Sequence, residues 1–122
     1  MNNLTINERK LNDITALDLE GNFVLGGDGQ FRQRVTANVE GGSRKLIVNL
    51  AKVSYMDSSG LGELIACYTQ MQRVNGQMKL LNLNSRLNQL LIITKLITVF
   101  ETFDSEAAAI ASFAPELATN PL

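Results

Sequence analysis

The sequence predicts an α/β domain, a mixed but mostly parallel sheet of about five strands with about four helices, in the order ββαβαβαβα. Three observations carry that prediction. Strand-like segments alternate with segments of helical spacing, the pattern that produces parallel pairs joined by right-handed crossovers. The run KLIVNL (Lys45–Leu50) is almost continuously apolar, as a strand covered on both faces requires. The first two strand-like segments are separated only by the turn-rich Leu11-Asn12-Asp13, so the sheet opens with an antiparallel hairpin.

Each element follows from its own pattern. In LTINERK (Leu4–Lys10), Leu4 and Ile6 share one face and Thr5 and Asn7 the other, a half-buried strand. ITALDLEG (Ile14–Gly21) alternates through Leu17 and Leu19. GNFVLGGDGQ (Gly21–Gln30) holds four glycines and reads as a loop. Phe31, Val35 and Val39 then recur at four-residue steps, a helix that Gly41-Gly42-Ser43 ends. After KLIVNL, Leu61, Leu64, Ile65, Tyr68 and Met71 mark a long helix with Glu63, Gln70 and Arg73 on its opposite side. Val74-Asn75-Gly76 stops it, and QMKLLNL (Gln77–Leu83) is the next strand. Leu87, Leu90, Leu91 and Thr94 mark a third helix, and TVFETF (Thr98–Phe103) a short strand. SEAAAIASF is a fourth helix that offers Ala108, Ile110 and Phe113 to the core. Asp104-Ser105-Glu106 suits its N-terminus, and Pro115 breaks it. The expected organisation is one domain over 1–114 and a tail over 115–122.

Composition narrows the function. A chain of 122 residues with 45% apolar content buries one core without staples. Eleven basic residues against twelve acidic ones leave no basic excess for nucleic-acid phosphates. Histidine is absent, which closes the serine–histidine–acid and cysteine–histidine routes to nucleophilic catalysis. The single cysteine, Cys67, forms no internal disulfide or cysteine metal cluster and reads as a packed thiol. MNNLTINERK has no signal-like apolar core, and no run approaches the ~20 apolar residues of a bilayer span. The expectation is a cytoplasmic protein that is not an enzyme, carries no cofactor or metal and is a monomer or weak homodimer.

The stretch MDSSGLGEL (Met56–Leu64) sets an acid, two serines and two glycines between the buried strand and the long helix. The carboxyl ends of strands in open α/β sheets are where ligands and partners are met, and helix N-termini expose N–H groups and partial positive charge. Capping by Asp57, Ser58 or Ser59 explains part of the pattern. Gly60 and Gly62, however, cost about 1 kcal/mol each relative to alanine in a helix, and close approach by another backbone is one way to offset that. A catalytic serine lacks both the G-x-S-x-G elbow and a histidine base, leaving only Lys52 or Lys79. A phosphate cradle lacks the Walker lysine, since Glu63 stands near its place. The fourth reading is phosphorylation. About −1.5 to −2 added charges at a helix N-terminus are accommodated by the domain and repel a closely fitted partner.

YMDSSGLGEL closely resembles the signature of STAS-domain anti-sigma factor antagonists, also called anti-anti-sigma factors. The resemblance extends over some seventy residues from KLIVNL to IASF, through the LLNL strand, the helix ending ITKL and the F-x-x-F-x-x-E-x-x-A close. It implies a single STAS-type domain that, unphosphorylated, binds an anti-sigma factor and so releases a sigma factor. The anti-sigma factor would also be a serine kinase of the histidine-kinase-like ATPase class, to which ATP would belong. Phosphorylation of Ser58 would switch the protein off, and a PP2C-type phosphatase would restore it. Asp57 and Ser59 would shape the helix N-terminus, Gly60, Leu61 and Gly62 would form the contact patch, and Gly27 and Asp28 would lie beside it. A phosphorylation-independent STAS scaffold or accessory domain in a signalling or transport complex is the alternative, and a nucleotide module using the glycine loops is a third. Of the remaining residues, at least one of Tyr55 and Met56 is expected to pack beneath the turn. Leu90–Ile93 either bury against the last helix or form an exposed patch.

Overall fold

The computed structural model describes residues 4–24 and 29–113. Strands β1 (Leu4–Leu11) and β2 (Ile14–Phe23) form the predicted hairpin, with Leu4 opposite Gly21 and Leu11 opposite Ile14. Asn12, at φ 61°, supplies the left-handed backbone of its two-residue turn. There follow α1 (Gln30–Glu40), β3 (Lys45–Met56), α2 (Ser58–Arg73), β4 (Gln77–Leu81), α3 (Ser85–Ile93), β5 (Glu101–Phe103) and α4 (Glu106–Ser112). The sheet order is β1-β2-β3-β4-β5, and every pair after the hairpin is parallel. The order of elements is the predicted one. The boundary expected at 114/115 lies outside the described residues.

Strand alternation sorts the core between two faces. Leu17, Leu19, Leu46, Val48, Leu50, Met78 and Leu80 meet Phe31 and Val35 of α1, Leu61, Leu64, Cys67 and Met71 of α2, and Leu87 and Leu91 of α3. Ile14, Ala16, Ile47 and Leu81 point the other way, to Ala109 and Phe113. Leu46, Ile47 and Val48 are all 0% exposed, so β3 is covered on both faces, as its apolar run predicts.

The structure departs from expectation in five places. Strand β4 ends at Leu81, two residues short of the expected Leu83, where Asn82 at φ 62° leaves the extended backbone. Strand β3 continues six residues past Leu50, to Met56. Two register shifts against β2, after Asp18 opposite Asn49 and after Gly21 opposite Val53, each insert an extra β3 residue. These bulges space the buried Val53 and Met56 three apart, which hides the strand from a period-two reading. Strand β5 is shortened, because Lys95 at φ 66° leads into a 3-10 turn, Leu96–Thr98, that takes up Thr98. In α4 the buried alanine is Ala109, not Ala108, paired with Phe113 one turn on. Finally, α3 and α4 lie on opposite faces of the sheet. Ile92 and Ile93 therefore do not bury against the last helix and are 47% and 73% exposed.

Polar side chains on the α4 face join the strands. Arg9 donates to Asp18 through Nε (2.6 Å) and Nη2 (2.9 Å). Asn49 donates to the same carboxylate at 2.9 Å. The Asn49 side-chain oxygen accepts from the Ala51 N–H at 3.1 Å, within the first bulge, and from Asn82 at 3.3 Å. The Arg9 guanidinium, and then the Asn49 amide, hold the Asp18 carboxyl below the usual carboxylate range.

This packing can be tested at two residues. A depressed folded-state pKa contributes stability that is complete above the unfolded value, about 4, and is lost as pH falls through the folded value. Asp18→Asn should therefore cost about 1–3 kcal/mol at pH 7, and its gap from wild type should close below about pH 4. Urea denaturation at pH 7 and pH 3 reads both, and an equal gap at the two pH values would refute the pairing. Cys67 is fully buried, and burial pushes its thiol up to about 12. Ellman's reagent at pH 8 should titrate one thiol in urea and react with the native chain orders of magnitude more slowly.

Candidate functional site

Only one residue, Asp57, separates β3 from α2. It is extended (φ −100°, ψ −174°) and caps the helix. Its Oδ1 accepts the Gly60 N–H at 2.9 Å and its carbonyl accepts the Leu61 N–H at 3.0 Å. Its own N–H donates to the Phe23 carbonyl at 3.3 Å, which ties the start of α2 to the end of β2.

That carbonyl also explains the first glycine. A Cβ on Gly60 would collide with the Phe23 oxygen and stand 2.9 Å from the Phe23 carbonyl carbon and 3.0 Å from Met56 Cγ. Close approach of a second backbone is thus the reason for Gly60. Gly62 has nothing within 4 Å of where its Cβ would be, so packing does not require a glycine there.

The signature residues separate by burial. Ser58, the first residue of α2, is exposed, and its hydroxyl makes no hydrogen bond among the described residues. Asp57 and Ser59 are half-buried and Gly62 is exposed. Gly60 and Leu61 are buried, Leu61 at 6% exposure within the core of the α1–α3 layer. The expected contact patch Gly60-Leu61-Gly62 is therefore divided: Gly62 faces out, whereas Gly60 and Leu61 support the junction from beneath. Met56 packs below the turn at 7% exposure, while Tyr55 is 46% exposed beside it. Gly27 and Asp28 lie outside the described residues.

The N–H groups of Ser58 and Ser59 precede the first intrahelical bond, and the first turn of α2 holds no acidic residue. Negative charge on Ser58 would meet these donors and the positive end of the helix. On the α1 side, Arg32 grips Glu63 through two bonds of 3.1 and 3.2 Å. The two side chains wall a groove of about 540 Å³ that also takes in Gly29, Gln33, Thr36, Ala37 and Glu40. The rings of Phe23 and Phe31 meet edge to face at 5.2 Å and bring the end of β2 to the start of α1. Sequence reasoning missed the Phe23 carbonyl and the Arg32–Glu63 pair. A backbone acceptor has no residue signature, and a pair 31 residues apart has no local spacing.

The two glycines should respond oppositely to alanine. Gly60→Ala should destabilise by about 1–3 kcal/mol through overpacking. Gly62→Ala should be neutral or stabilising by up to about 1 kcal/mol, from helix propensity. Urea denaturation of both variants distinguishes them, and equal losses would contradict the close approach of Phe23.

Comparison with known proteins places this geometry in a family. The STAS-domain family model matches residues 5–109. The anti-sigma-B factor antagonist of Bacillus subtilis is 27% identical over 99 residues, 81% of this chain and 90% of that protein. An anti-sigma factor antagonist from Mycobacterium paratuberculosis shares the fold with a TM-score of 0.80 at 16% identity, across 89% of this chain and 92% of that one. The unphosphorylated antagonist SpoIIAA superposes with a TM-score of 0.75 at 21% identity, across 87% of this chain and 93% of that one. Its phosphorylated form gives 0.72 at 20% identity, across 90% and 100%. Among the described residues, no helix is long and apolar enough to cross a membrane. The family match takes in the sequence from the second residue of β1 to the middle of α4: the chain belongs to the STAS-domain family.

Proposed function

We propose that this protein is an anti-sigma factor antagonist whose unphosphorylated form binds an anti-sigma factor, so releasing a sigma factor, and that phosphorylation of Ser58 ends that binding. The observation that carries this reading is the division of labour at the start of α2. Asp57 does the capping, so the exposed Ser58 hydroxyl is left without a structural task. A phosphate there would sit on free helix N–H groups, which leaves the fold intact while the outward surface gains charge. The antagonist SpoIIAA, known in phosphorylated and unphosphorylated forms, supports the same reading.

In this mechanism the partner is an anti-sigma factor that is also a serine kinase of the histidine-kinase-like ATPase class. A PP2C-type phosphatase removes the phosphate. The nucleotide belongs to the kinase, and this chain is a binding module in the cytoplasm. Asp57, Ser59 and Gly62 border the contact, with Gly27 and Asp28 contributing from the glycine-rich segment. Gly60 and Leu61 act indirectly, by setting the pose of Ser58.

Ser58→Asp and Ser58→Glu should change stability by no more than about 1 kcal/mol and abolish the complex with the kinase in native mass spectrometry. Ser58→Ala should keep the complex and take no label from ATP. A Ser58→Asp complex as abundant as wild type would overturn the switch. Absence of label at Ser58 with the kinases of its own cell would favour a phosphorylation-independent scaffold.

A further inference from the structure

Among the described residues, one short helix covers the second face of the sheet, and a cation from the sheet meets it at each end. Helix α4 has seven residues, too few to persist alone in water. At its first turn, Glu106 accepts two bonds from Arg9, Nη2 to Oε1 at 2.7 Å and Nη1 to Oε2 at 3.3 Å. The same guanidinium is bidentate to Asp18. At the last turn, Lys79 Nζ lies 3.4 Å from the Ser112 carbonyl, 2.6 Å from Glu101 Oε1 and 4.8 Å from the centre of the Phe113 ring. Between these ends, Ala109 and Phe113 bury against Ile14, Ala16, Ile47 and Leu81.

Three features make this attachment reversible. The apolar cluster under α4 shares no residue with the larger cluster on the other face, so its opening leaves that core whole. Lys79 is 2% exposed, and a buried ammonium regains its hydration when the cover lifts, which offsets part of the cost of parting these groups. The Arg9–Glu106 pair is partly exposed, 37% at each side chain, and so is open to screening by salt.

We propose that α4 is a detachable strap. It lifts from the sheet as one unit while the five strands and α1–α3 stay folded, and its opening bares the apolar strip formed by Ile14, Ala16, Ile47 and Leu81. The two cations act in opposite directions: the Arg9–Glu106 pair holds the strap closed, whereas the charge buried on Lys79 favours opening.

Hydrogen–deuterium exchange by mass spectrometry on the full chain tests this at 0.05 and 1 M NaCl. In the wild type, amides of α4 should exchange at least tenfold faster than those of β3 and α2, and faster still in 1 M salt. Glu106→Gln should speed α4 exchange about tenfold and leave β3 and α2 unchanged. Lys79→Met, which keeps the stem and removes the charge, should slow it. If α4 exchanges in step with β3 and α2, or Glu106→Gln speeds all three together, opening is global and the strap is refuted. Faster α4 exchange in Lys79→Met would refute the role given to the buried charge.

Discussion

Strand β3 must be covered on both faces, and the rest of the molecule is arranged around that requirement. Leu46, Val48 and Leu50 turn one way and Ile47 the other, so two apolar layers are obligatory. The two are built unequally. Three helices supply the larger layer through Phe31, Val35, Leu64, Cys67, Met71, Leu87 and Leu91. Among the described residues, one seven-residue helix supplies the smaller layer, through Ala109 and, just past its end, Phe113. Much of the second face is finished with polar bonds instead, from Arg9 through Asp18 and Asn49 to Asn82. These groups satisfy one another, which is the condition under which polar atoms can replace apolar cover.

The same strand delivers the candidate site. Two bulges lengthen β3 until its end lies level with Phe23, the last residue of β2, where the Phe23 carbonyl meets the start of α2. That one acceptor takes the Asp57 N–H and also presses on Gly60. Together these two interactions set how α2 leaves the sheet, and hence where Ser58 points. With Asp57 as the cap, the Ser58 side chain stays exposed and takes no part in holding the helix start, as the proposed switch requires. Charge can then be added at the helix end without disturbing the layer beneath, because Leu61 and Leu64 are already anchored in the core.

Several of these features are legible in the residues alone. KLIVNL announces a doubly covered strand, Leu11-Asn12-Asp13 a tight turn, and MDSSGLG a capped helix start whose glycines suit a close approach of backbone; that the cap is Asp57 and the close approach is at Gly60 is decided by the Phe23 carbonyl. The bulged half of β3 is not legible. Inserted residues shift Val53 and Met56 off the alternating pattern, and the partner strand that makes the bulges lies about thirty residues away in sequence. The phase of α4 differs by one residue from its sequence reading, because three consecutive alanines offer no hydrophobic contrast and Phe113 alone fixes which of them faces inward. The exposure of Ile92 and Ile93 is open in sequence for a similar reason: their helix has more apolar residues than one face can bury, and which face is buried depends on where α4 lies.

The order of strands and helices, the central strand, the lack of any histidine and the signature at the start of the long helix can all be read before the chain is folded. Each of these rests on local periodicity or on residue type. Which signature residues reach the surface is a matter of packing. Ser58 and Gly62 do, while Gly60 and Leu61 do not. Their fates differ because the Phe23 carbonyl and the α1–α3 core occupy one side of the first turn of α2. A helix start looks the same in sequence on either side, and only the packing of a distant strand end tells the two sides apart.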